Sequence, residues 1–250
     1  MALPPPIDDL VAEATGRRAR QDAVVPPTGG PAGNARLTAW TGVLLLALTC
    51  AELVTLLDVS GLISWHVAIG ALLVPVALLK TASTSWRIVR YYTGHRPYRA
   101  AGPPPLLLRV LGPLVVASTL GLLASGIVLV SVGDDRGHRT LFTALGRRVD
   151  LVTVHQALFI AFAVCAGLHL LARAVRAVEL LTGRATRGPG GRTGVPGRLG
   201  RLGALTAAAV AALVAVVLLL PQASGWHDGG DDGDGGPPGA HAAVHRPPNG

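Results

Sequence analysis

Two histidines, His155 and His169, stand fourteen residues apart inside one apolar run, 151–171. In an α-helix, fourteen steps make about 1400°, some 40° short of four turns, so both rings share one face. Their separation along the axis is about 21 Å, against a bilayer hydrocarbon core of about 30 Å. A polar, titratable ring is expensive to keep at that depth, so its presence marks a functional site. Imidazole is also the commonest metal-liganding side chain. Two on one helix face, one toward each side of a bilayer, suit a helix that holds haem iron.

A third histidine matches the first in depth. His66 is the fifth residue of an apolar run beginning at Leu62, and His155 is the fifth residue of the run beginning at Leu151. If these runs are the second and fourth spans of one bundle, they point the same way. The two rings then lie at one level, roughly 6 Å below the surface. Each imidazole can give one nitrogen to iron while the other donates to an oxygen acceptor. His66 and His155 are therefore the expected axial metal ligands of one haem b. On the His66 face, at helical spacing, follow Gly70, Leu73, Ala77 and Lys80; Gly70 leaves room for a porphyrin. The His155 face carries Phe159, Phe162, Ala166 and His169.

The elements that must position these rings follow from composition. Of the 250 residues, half are hydrophobic and 14% are charged, and mean hydropathy is +0.48. Apolar runs near 38–57, 62–82, 106–130, 151–171 and 202–220 are long enough, or nearly so, to span. The expected fold is an all-α integral membrane bundle: a four-helix haem-binding core, 37–181, plus a fifth transmembrane helix, 202–221. A Pro-rich arm, 1–36, reads as disordered and cytoplasmic. A Gly- and Arg-rich linker, 182–201, reads as flexible, and the tail, 222–250, as disordered and extracytoplasmic. The arm has no apolar core of the kind a cleaved signal peptide carries.

The net charge of +8 does not signal nucleic acid, because the arginines lie between the spans. Sixteen of the 21 fall in the N-terminal segment, the second loop and the fourth loop, and five in the first loop, the third loop and the tail. The positive-inside rule then puts the N-terminus in the cytoplasm and the C-terminus outside, as an odd number of spans requires. The expected location is the plasma membrane, with lipid as the surroundings.

The stretch Trp65-His66 through Lys80, the segment Arg87-Ile88-Val89-Arg90-Tyr91-Tyr92-Thr93-Gly94, and Gly102-Pro103-Pro104-Pro105 resemble the b-type cytochrome membrane subunits. These are the cytochrome b561-like group and the haem subunits of formate dehydrogenases, hydrogenases and sulfoxide reductases. The resemblance covers about residues 37–181 and its anchoring residues are few. It implies a subunit that passes electrons between a quinone pool and a redox partner protein, such as an extracytoplasmic molybdenum-type oxidoreductase, rather than a stand-alone enzyme. One departure matters. In a full dihaem pattern the position fourteen after His66 is also histidine; here it is Lys80. An ammonium has no lone pair for iron, so Lys80 is expected to snorkel to the cytoplasmic headgroups or to meet a haem propionate. One haem is expected. A second would need His169 with another partner, for which His95 is a weak candidate.

Other residue groups have plainer readings. Glu52, near the outer end of the first span, can accept a quinol proton or snorkel to the surface, and snorkelling is the preferred reading. Cys50 and Cys165 are single thiols inside spans and read as packing residues. His227, Asp228, Asp231, Asp232, Asp234, His241 and His245 have metal-binding side chains but no recognised site spacing. The fifth span is almost pure Ala, Val and Leu and reads as a lipid-facing addition. The rival to the haem protein is a haem-free helical anchor, assembly factor or small transporter.

Overall fold

The computed structural model describes residues 8, 11–12, 22–100, 106–181 and 195–226. Half of the expected arm, linker residues 182–194, Gly102-Pro103-Pro104-Pro105 and tail residues 227–250 with their acidic and histidine groups lie outside the described residues. Five long helices organise the rest: α1 (Gly30–Thr55), α2 (Ile63–Tyr92), α3 (Leu106–Val132), α4 (Leu151–Leu181) and α5 (Arg198–Leu219). Each belongs to a helical segment long and apolar enough to cross a membrane. Their length follows from near-continuous runs of Leu, Ala and Val. Pro75 in α2 and Pro113 in α3 are accommodated inside helices. The 31 residues of α4 make about 46 Å of helix, so its ends project beyond a core of about 30 Å.

The outer faces of these helices are apolar and open. Ile160, Val164 and Leu171 on α4, and Leu213, Val217 and Leu218 on α5, are all more than half exposed. Apolar surface of this extent has no place in water and needs lipid against it. The architecture is that of a multi-pass helical membrane protein.

Packing sets which side chains can meet. α1 lies along α2, α3 lies along α4, and α5 lies along α2. Smaller contacts join α2 to α3 and α1 to α4. α2 and α4, which carry the histidines, have almost no direct backbone approach. The fifth helix is thus a packed member of the bundle, with Ala212 buried. Gly197, at φ +78°, starts α5, and a Cβ there would stand 2.5 Å from the Thr28 carbonyl oxygen. Only glycine permits that approach.

Several boundaries differ from the sequence reading. α1 begins at Gly30 rather than at residue 38, so the supposed arm is helical over 30–36. Asp22, ahead of it, forms an ion pair with Arg87 of α2 at 2.7 Å. Leu220–Trp226 form a 3₁₀ helix that packs back on α2 and α3, so residues 222–226 are structured rather than tail. The loop between α3 and α4 contains a hairpin, β1 (Phe142–Ala144) with antiparallel β2 (Arg147–Val149). Its two-residue turn, Leu145-Gly146, has positive φ at both positions.

Candidate haem-ligand site

The two depth-matched histidines meet. His66 projects from the first turn of α2 and His155 from the second turn of α4, and their ring centres are 6.4 Å apart with planes at 80°. A metal ion between two opposed imidazoles spaces their centres by about 6 Å, from bonds of about 2 Å and a ring radius of about 1 Å on each side. The ring-centre spacing is of the size at which both histidines would be able to hold one metal group between them.

The hydrogen bonds assign the tautomers. The Thr55 hydroxyl donates to the Glu52 carbonyl at 2.6 Å and lies 2.9 Å from His66 Nδ1. The Ser125 hydroxyl donates to the Leu122 carbonyl at 2.9 Å and lies 2.8 Å from His155 Nδ1. Each hydroxyl has one hydrogen and uses it on a carbonyl, so each must accept from the imidazole. With the hydroxyls so used, the rings would be Nδ1–H tautomers, and each Nε2 would keep its lone pair for a metal. This is the arrangement by which ligating histidines are usually oriented: one nitrogen held by an oxygen, the other left for the metal.

Glu52 completes the His66 side. Its Oε1 is 3.1 Å from His66 Nδ1, and its buried Oε2 has no hydrogen-bond partner. The carboxyl turns inward onto the ring instead of snorkelling outward. Helix geometry explains the correction: Glu52 is one turn before Thr55, so both face α2 where His66 stands. Gly70 also has a different setting from the one expected. A Cβ there would lie 3.6 Å from Glu52 Oε1, so this glycine borders the carboxylate. The tight glycine is Gly126, where a Cβ would lie 3.2 Å from His155 Cε1. In the same turn of α3 as Ser125 and Gly126 begins an apolar cavity of about 250 Å³. It is lined by Val74, Leu78, Leu120, Leu123, Ala124 and Ile127. Neither His66 nor His155 is among its lining residues.

The opposite end of the bundle is built differently. The Lys80 ammonium donates to the Thr38 carbonyl of α1 at 3.0 Å, and the missing side chain of Gly42 makes space for it. Thr38 and Asn34 also bond Ser83 of α2, so this end of α1 and α2 is joined by polar contacts. His169 lies within Coulomb range of Lys80 and Arg173, and its Nδ1 is buried without a hydrogen-bond partner. His95 is not its partner: the His95 ring contacts Arg90 in the short turn after α2. The described residues hold no cluster of three His, Cys, Asp or Glu side chains able to take a bare metal ion.

Sequence reasoning placed His66 and His155 together but missed Thr55 and Ser125 as their holders. The available signal was depth. Thr55 ends the first span beside the start of the second, and Ser125 approaches the end of the third span, at the level where His155 begins the fourth. Comparison with protein-family models, with curated proteins and with solved structures gave no match.

Proposed function

We propose that this chain is a membrane b-type cytochrome that carries electrons between a quinone pool and a redox partner protein. The observation that carries the reading is the His66–His155 pair: 6.4 Å between ring centres, each Nδ1 tied to an oxygen, each Nε2 left for iron. Haem b, bound there, supplies one-electron chemistry over a potential range that its ligands and surroundings tune. The chain's own residues do the rest. His66 and His155 hold the iron from two helices. Thr55, Glu52 and Ser125 fix the ring orientations, and the apolar helix faces keep water away. With His66 and His155 both offered as ligands, the group they would hold would serve electron transfer rather than oxygen binding. The arginine bias puts the His66 end of the bundle at the extracytoplasmic side, which an alkaline phosphatase fusion after Trp226 reads directly.

The test is the spectrum of the purified protein. A reduced-minus-oxidised difference with the sharp bands of low-spin b haem is expected. It should be abolished in His66→Ala and in His155→Ala, with the protein still in the membrane. A wild-type protein without a Soret band, or both variants with full haem content, would sink the proposal in favour of a haem-free anchor.

A further inference from the structure

The end of the bundle away from His66 gathers basic side chains between its helices. Ala77 and Ser83, one turn before and after Lys80 on α2, are buried, so Lys80 stands on the face that packs inside the bundle. Its amine has one acceptor among the described residues, the neutral Thr38 carbonyl at 3.0 Å, and keeps further donor hydrogens. On α4, His169 and Arg173 are one turn apart and flank the buried Ala172, so they face inward as well. Lys80 and Arg173 both act electrostatically on His169, and Arg173 acts on Lys80, which brings the three groups to one place from two helices. His169 Nδ1 is buried with no hydrogen-bond partner. Among the described residues no carboxylate pairs with Lys80 or His169. A cation withdrawn from water is costly unless a counter-charge meets it. α2 and α4 make almost no direct backbone contact, which leaves space between them for one.

We infer that Lys80, Arg173 and His169 form a binding site for a phosphate anion, supplied as the headgroup of an acidic phospholipid. Arginine offers a planar fork of donors and lysine a compact point charge, the two side chains suited to phosphate oxygens. The depth agrees: the apolar span of α4 ends at Ala174, so Arg173 stands where hydrocarbon gives way to headgroups. Basic pockets between helices at that level take acidic headgroups. Lys80 is about 21 Å along α2 from His66, so a haem at His66 does not supply the anion. The inference holds with or without haem there.

The experiment titrates the full-length protein in detergent with phosphatidylglycerol, with phosphatidylcholine of the same acyl chains, or with inorganic phosphate, and counts bound molecules by native mass spectrometry. Wild type is expected to retain phosphatidylglycerol over phosphatidylcholine. Arg173→Gln and Lys80→Met are each expected to weaken phosphatidylglycerol binding at least about fivefold, the effect of one basic side chain near an acidic headgroup, and to leave phosphatidylcholine unchanged. Arg90→Gln is the control, since its guanidinium lies over the Trp86 ring at 4.3 Å, and it is expected to bind as wild type does. If Lys80→Met does not accumulate, Arg173→Gln decides. Inorganic phosphate bound by wild type and lost in Arg173→Gln, with no preference between the lipids, would support the anion site and assign it to a free ion. Equal retention of both lipids with no phosphate bound overturns the inference in wild type alone. Equal losses in Arg173→Gln and Arg90→Gln also overturn it, since the effect would then be general surface charge.

Discussion

At the scale of single residues, the site turns on how closely α3 approaches His155. Gly126 is tight against that ring, with a virtual Cβ 3.2 Å from Cε1, while a Cβ at Gly112 on the same helix meets nothing within 4 Å. Gly126→Leu must therefore push the imidazole away from Ser125 and off its axis. Losing the oxygen that orients a ligating histidine costs about 10–100-fold in affinity for the metal group. The haem-to-protein ratio of Gly126→Leu is expected to fall below about a tenth of wild type, and that of Gly112→Leu to stay the same. Equal haem in both would show that α3 does not position His155. The pair His66 and His155 was legible because depth along a helix is simple arithmetic. The roles of Glu52 and Gly70 were not, because they depend on how α1 is rotated against α2. An almost uniformly apolar α1 gives little sign of that rotation.

At the scale of elements, the start of α4 shows what holds His155 at its level. Asp150 precedes the first residue of α4, and its Oδ1 accepts from the Thr153 backbone N–H and hydroxyl, both at 2.7 Å. This is an N-cap that satisfies an otherwise unpaired helix donor. Those bonds from Thr153, hydroxyl first, hold the Asp150 carboxyl below the usual carboxylate range. A depressed folded pKa contributes stability above the unfolded value, about 3.9, and the contribution disappears as pH falls through the folded value. Thermal unfolding in detergent should therefore show Asp150→Ala less stable than wild type at pH 6, with the gap closing on acidification. Asp150→Asn, which keeps an acceptor oxygen, should sit close to wild type in acid. A gap that is constant with pH would mean the carboxylate is not the cap. The Asp150–Thr153 spacing is visible in sequence. The β1–β2 hairpin just before it is not, because its strands have three residues each and its Leu-Gly turn lacks the usual Asn or Asp.

At the scale of the whole molecule, the two ends of the bundle differ: one brings His66 and His155 together, the other joins α1 to α2 through Lys80, Thr38, Asn34 and Ser83, and on the proposed reading this difference sets the number of haems. The five spans were legible from apolar run length alone. What the sequence left open was whether Lys80 and His169, also level with each other, make a second site. Lys80 is committed elsewhere: its ammonium is bonded to the Thr38 carbonyl and seated over Gly42. His169 has Lys80 and Arg173 for neighbours in place of a second imidazole, and positive charges beside a ring oppose placing a further cation on it. His95, the remaining candidate, is engaged with Arg90. One haem per chain is therefore expected, and a pyridine haemochrome assay against protein mass measures it. His169→Ala should leave that ratio unchanged, while His66→Ala should take it to zero. A ratio near two that falls to one in His169→Ala would mean that the Lys80 end ligates as well. Electrons would then have a path through two haems across the bilayer.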